Sequence, residues 1–111
     1  MLEFDASADI QSLRSTLAEI TAVVDLDGLR ADIARLREEA GAHDLWDDPE
    51  KAQKVTSALS HRQSELNRVL DVQRRVDDVE VLVQLANEME DEDSVEEAKK
   101  EITALQKVIS D

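Results

Sequence analysis

Apolar residues along this chain recur at intervals of three and four, the repeat of a helix with one buried stripe. Ile10, Leu13, Leu17, Ile20 and Val24 step by three, four, three and four, the period of a coiled-coil seam. They predict a first helix over about 7–24. A new series, Leu26, Leu29, Ile33, Leu36 and Ala40, starts only two residues after Val24. With Asp25, Asp27 and Gly28 at this slip in phase, the pattern predicts a break and a second helix over about 28–40, capped by Asp25 or Asp27. Gly41 is expected to close it in the left-handed conformation, and a loop, Ala42 to Asp47, follows.

The stretch Asp44-Leu45-Trp46-Asp47-Asp48-Pro49 is a helix start signal. Asp48 suits the N-cap, where its carboxylate accepts an unpaired amide hydrogen bond of the first turn. Pro49 suits the first helical position, which needs no N–H, and Glu50 lies at the positive end of the helix dipole. Val55, Leu59, Leu66, Val69, Val72, Val76, Val79, Val83 and Ala86 then define one stripe, predicting a third helix over about 49–86, roughly 57 Å long at 1.5 Å per residue. The three-and-three spacing of Leu66, Val69 and Val72 is a local phase shift that bends or overwinds it. Asp71–Arg75 and Arg74–Asp78 are expected as ion pairs one turn apart. Val79 to Leu85 also alternates like a strand, but neither Gly nor Pro follows Pro49 to turn a hairpin, and a lone strand has no partner. Asn87 to Asp93 is read as the next turn. Ser94-Val95-Glu96-Glu97 fits a capping box, opening a fourth helix over about 94–110 with Val95, Ala98, Ile102, Leu105 and Ile109 on its stripe. The expected fold is all-α: an antiparallel helical bundle with coiled-coil-like packing around one long helix, residues 1–111 forming a single helical domain. The last stripe is still in phase at Asp111 with no C-cap signal, so the domain is expected to be the N-terminal part of a longer chain.

Composition narrows the partners. Of 111 residues, 36% are charged and 2% aromatic, and the formal net charge is −14. A regular apolar stripe beneath so much charge argues for long helices rather than disorder. Acidic surface is repelled by phosphate backbones and attracts basic protein surfaces, so nucleic-acid binding by this domain alone is not expected. Asp77 to Glu97 contains ten acidic residues and no basic one; taken alone, such a run is ordinarily a solvated face. There is no cysteine, hence neither disulfide nor thiolate metal site. No apolar run approaches the eighteen or so residues of a membrane span, and Met1-Leu2-Glu3-Phe4-Asp5 lacks the basic and apolar regions of a signal peptide. A cytoplasmic location is expected.

Catalytic chemistry finds no foothold. His43 and His61 lack ligand company at helical spacing. Asp91, Glu92 and Asp93 lack the spacing and turn glycine of a calcium loop. There is neither a Gly-rich phosphate loop nor a nucleophile–base–acid set, so no cofactor, metal or enzymatic activity is expected. Trp46 has two readings. As a structural residue it would plug the bundle end beside Leu45; as a functional one it would anchor a partner, with Asp47 and Asp48 beside it.

These residues carry a resemblance. Val24-Asp25-Leu26-Asp27, a helix, and then Leu45-Trp46-Asp47-Asp48-Pro49-Glu50-Lys51-Ala52-Gln53 resemble the N-terminal region of the bacterial class I peptide chain release factors, in the form typical of release factor 2 rather than its sister, release factor 1. The likeness follows the order of segments along the whole chain, and the aromatic–acidic–Pro–Ala–Gln stretch is its specific part. The resemblance implies a factor that reads UAA and UGA on the ribosome and triggers peptidyl-tRNA hydrolysis. In that family a Ser-Pro-Phe tripeptide and a Gly-Gly-Gln loop do this work, and neither occurs here; the only glycines are Gly28 and Gly41. No catalytic or codon-reading residue carries over. The resemblance implies instead an accessory domain, monomeric, that meets the stalk-base protein region of the large ribosomal subunit and the class II GTPase release factor. The rival reading is a free-standing acidic coiled-coil scaffold that self-associates.

Overall fold

The computed structural model describes residues 3–110. Its helices are α1 (Ser7–Val24), α2 (Leu26–Ala40), α3 (Pro49–Met89) and α4 (Glu92–Ser110), with one 3-10 turn at Leu45–Asp47. Among the described residues there is no strand, and Val79 to Leu85 lies inside α3. The all-α expectation holds. At 41 residues, α3 is roughly 60 Å long at 1.5 Å per residue, longer than its stripe implied because it continues past Ala86 to Met89.

The start of each helix is set by a single aspartate. Asp5 accepts hydrogen bonds from the N–H and Oγ of Ser7, at 3.0 and 2.6 Å, fixing the entry to α1. These bonds stabilise the ionised form and hold its carboxyl below the usual 3.8. Between α1 and α2 a single residue, Asp25, turns left-handed with φ 55°, a conformation that Asp tolerates better than most residues. Its N–H still donates to the Thr21 carbonyl, its own carbonyl accepts from Leu29, and its side chain accepts from the Gly28 N–H at 3.2 Å. A Cβ on Gly28 would lie 2.5 Å from the Asp25 carboxylate, so glycine there lets the cap fold over the first turn. The start of α3 is as expected: Asp48 accepts the Lys51 N–H at 3.3 Å with extended backbone, which the following proline also favours.

Two expected caps are corrected. Gly41 is not left-handed. Its φ is −87° and its N–H is shared between the Arg37 and Glu38 carbonyls, so α2 closes by tightening its last turn. The turn between α3 and α4 is also shorter than Asn87 to Asp93. Glu90 is left-handed, φ 51°; its N–H donates to Asn87 and that of Asp91 to the Ala86 carbonyl, the paired bonds of a Schellman motif. Asp91 then caps α4, accepting the Asp93 N–H at 3.1 Å and the Ser94 hydroxyl at 2.8 Å. Ser94 is thus inside α4 rather than its cap, and the capping box is not formed. Asp91 supplies a carboxylate acceptor three residues earlier, while left-handed Glu90 ends α3 without the glycine that would have signalled it.

Two compact units divide the fold, one made of the described residues up to Ile20 with those from Asp71 onward, the other of Thr21–Leu70. In the first, α1 and α4 each run antiparallel to the C-terminal half of α3. Its core joins Ile10, Leu13 and Leu17 to Val76, Val79 and Val83 and to Ala98, Ile102 and Leu105. Phe4 packs against this core and is clamped by Asn87, whose side-chain amide both accepts the Phe4 N–H and donates to its carbonyl, each at 2.8 Å. Lys99 Nζ lies 5.5 Å from the centre of the Phe4 ring, a cation–π contact. Arg75 reaches Glu101 of α4 at 2.5 Å instead of pairing with Asp71. Arg74 pairs with Asp78, as expected, and with Asp71.

In the second unit α2 lies antiparallel to the N-terminal half of α3. Leu36, Leu45, Ala52 and Val55 form one cluster; Leu29, Ile33 and Leu66 form another. Asp32 accepts from Arg35 at 2.8 Å and from Arg62 of α3 at 3.1 Å. These two guanidiniums, Arg35 first, hold its carboxyl below the ordinary 3.8. Both pairs are exposed, so their contribution is modest and salt-sensitive.

Two predictions follow from the caps and from Asp32. Denaturant unfolding of Asp91→Ala should show a loss of about 1 kcal/mol and Ser94→Ala clearly less, whereas Glu90→Gly should gain up to about 1 kcal/mol by relieving the left-handed strain. An equal cost for Asp91→Ala and Ser94→Ala would contradict the assignment of the cap. The stabilisation from Asp32 is present above its unfolded pKa and lost as pH falls through the lower folded value. Asp32→Asn should therefore flatten the decline in stability below pH 3.8, measured by unfolding at successive pH values.

Candidate functional site

Leu45, Trp46 and Asp47 form a single 3-10 turn, closed by Asp47 N–H to the Asp44 carbonyl at 3.1 Å and Asp48 N–H to the Leu45 carbonyl at 3.2 Å. With three residues per turn, neighbouring side chains diverge by about 120°, so only one of Leu45 and Trp46 is directed into the core. Leu45 is that residue, 5% exposed, against Leu36, Ala52 and Val55. Trp46 is left 64% exposed. The expectation that Trp46 plugs the bundle end is thus overturned: the adjacent leucine fills that space.

The surroundings of the indole are acidic. Asp44, Asp47, Asp48 and Glu50 are all exposed. Asp48 is partly committed, because its carboxylate caps α3. An exposed, preformed aromatic beside carboxylates suits a protein contact, since Trp offers a large apolar area at small entropic cost and the acids favour a basic counterpart. His43 and His61 are exposed, and no group of three or more metal-ligating side chains comes together among the described residues. No helix of the described residues is long and apolar enough to cross a membrane.

Sequence reasoning missed a second exposed apolar feature, Val81, Leu85 and Met89 on α3. Its signal was present in the alternation from Val79 to Leu85, which in a helix puts apolar residues on the outward side as well as the inward one.

The two side chains of the turn should separate in a stability experiment. Leu45→Ala should cost about 2–4 kcal/mol, and Trp46→Ala should stay within about 0.5 kcal/mol of the parent. Fluorescence of the folded chain should resemble that of tryptophan in water; a blue-shifted, quencher-protected emission would contradict the exposed placement.

Residues 29–111 match the PCRF domain. The chain is 51% identical over 109 residues to peptide chain release factor 2 of Pseudarthrobacter chlorophenolicus, covering 98% of the chain and 29% of that protein. It is 49% identical over 111 residues to release factor 2 of Streptomyces avermitilis, covering 100% and 30%. With release factor 2 of Beutenbergia cavernae it shares 57% over 101 residues, covering 91% and 27%. The chain therefore spans just under a third of the length of the curated relatives it matches. The match takes in α2 from Leu29 onward, the turn at Trp46, α3 and α4, and on that evidence the chain belongs to the PCRF domain family.

Proposed function

We propose that this chain is the N-terminal interaction domain of a release factor that acts in translation termination at UAA and UGA codons in the cytoplasm. In this reading it makes protein contacts and leaves codon reading and peptidyl-tRNA hydrolysis to other parts of the factor. The observation that carries the proposal is the likeness to release factor 2 proteins along essentially the whole chain. Its sequence has neither a Gly-Gly-Gln nor a Ser-Pro-Phe tripeptide. The contact surface we assign is the turn at Trp46, with Asp47 and Asp48 as its acidic edge. Its partner would be basic protein at the stalk base of the large ribosomal subunit, and the class II GTPase release factor is a second candidate. The net charge of −14 disfavours contact with ribosomal RNA and disfavours pairing with a second copy, so the domain acts as a monomer.

Two measurements test this reading. Added alone to termination complexes carrying peptidyl-tRNA at UAA or UGA, the chain should release no peptide; measurable release would overturn the non-catalytic role. It should bind ribosomes, and Trp46→Ala should weaken that binding about tenfold, a hot-spot loss of roughly 1.4 kcal/mol. Unchanged binding would remove Trp46 from the contact.

A further inference from the structure

The C-terminal half of α3 is apolar on two sides. Val76, Val79 and Val83 are buried in the core it shares with α1 and α4, and Ala86 is buried as well. Val81, Leu85 and Met89, spaced by four and so aligned along one side of the helix, are 51%, 47% and 73% exposed. Burying them in the fold's own core is ruled out by the helix itself, because the inward positions are already taken. A row of this spacing is the anchor pattern by which helices dock on partners, and contiguous apolar surface outside a core marks interaction sites.

The charges around the row select the partner. Asp78 lies three residues before Val81, Glu88 three after Leu85, and Glu90 and Asp91 follow Met89. The nearest arginines in this unit are occupied, Arg74 by Asp71 and Asp78 and Arg14 by Asp77 and Glu80. No lysine or arginine occurs between Arg75 and Lys99. A second copy would set two acidic frames against each other, and RNA would bring phosphates to carboxylates. A protein segment with apolar side chains between lysines or arginines satisfies both the row and its border.

We propose that Val81, Leu85 and Met89 form a docking strip for a basic amphipathic protein segment, its apolar ridge along the row and its cations against Glu88 and Glu90. The proposal rests on the reading of the chain as a protein-binding domain and adds to it a surface in a different compact unit from Trp46. The probe is a synthetic helix-forming peptide with leucines at every fourth position flanked by lysines, and its control carries glutamates in place of the lysines. In amide NMR spectra of the chain, the lysine peptide should shift the signals of Val81, Leu85 and Met89, and binding should weaken as salt is raised. Leu85→Glu, at an exposed position, should keep the thermal midpoint of the parent and lower affinity at least about tenfold. Equal binding of the glutamate peptide, or no binding of the lysine peptide, would overturn the strip. So would self-association of the chain that Leu85→Glu abolishes, because the row would then belong to a second copy. Shifts centred on Trp46 instead would also overturn it, yet would leave the ribosome-binding test of the Trp46 turn standing.

Discussion

A helix of 41 residues has no stability of its own in water beyond marginal propensity, and the rest of this structure is arranged to cover it. The chain covers α3 in two stretches. α2 lies against its N-terminal half through Leu29, Ile33 and Leu36, and α1 with α4 against its C-terminal half through Ile10, Leu13, Leu17, Ala98, Ile102 and Leu105. The three-and-three spacing of Leu66, Val69 and Val72 spans the position where one compact unit gives way to the other at Leu70 and Asp71. The irregularity in the stripe therefore coincides with a change of partner rather than with a break in the helix.

The helices and their inward faces were legible in the sequence because burial follows spacing: nearly every residue named on a stripe is buried or half-buried. The ends of the helices were less so. Gly41 carried the strongest C-cap signal and does not use it, while Glu90 closes α3 in a conformation that glycine would normally signal. Ser94 matched a capping motif, but the helix begins earlier, where Asp91 accepts the Asp93 N–H, and the Ser94 hydroxyl itself donates to Asp91. Each of these ends is set in a connection between helices, outside the apolar stripes that the sequence displays. Trp46 was misplaced for a related reason. Size argues for burying tryptophan, but the 3-10 turn offers one inward position, and Leu45 takes it where it can meet Leu36, Ala52 and Val55.

The same reasoning applies to the ion pairs. One-turn spacing correctly identified Arg74 with Asp78 but missed that Arg75 is drawn to Glu101 across the interface with α4. A cross-helix pair at the edge of a core is better sheltered from solvent than a pair on the open side of one helix, and both partners here are only about a third exposed or less. Spacing along one helix says nothing about what the neighbouring helix presents.

Charge and exposure together describe how such a chain meets other molecules. With 27 acidic against 13 basic side chains, and most of the guanidiniums already answered by carboxylates, the unanswered charge is mostly negative. Long-range attraction then brings up basic surfaces without distinguishing among them. Discrimination has to come from short-range contacts, and the exposed apolar groups, Trp46 in its acidic turn and the row on α3, are where carboxylates border surface that gains from being covered. A basic surface with no apolar complement would be attracted and released; one with a ridge or pocket of matching shape would be held. On the proposed reading, the acidic exterior would set the rate of encounter, and a few exposed apolar side chains would decide which encounters last.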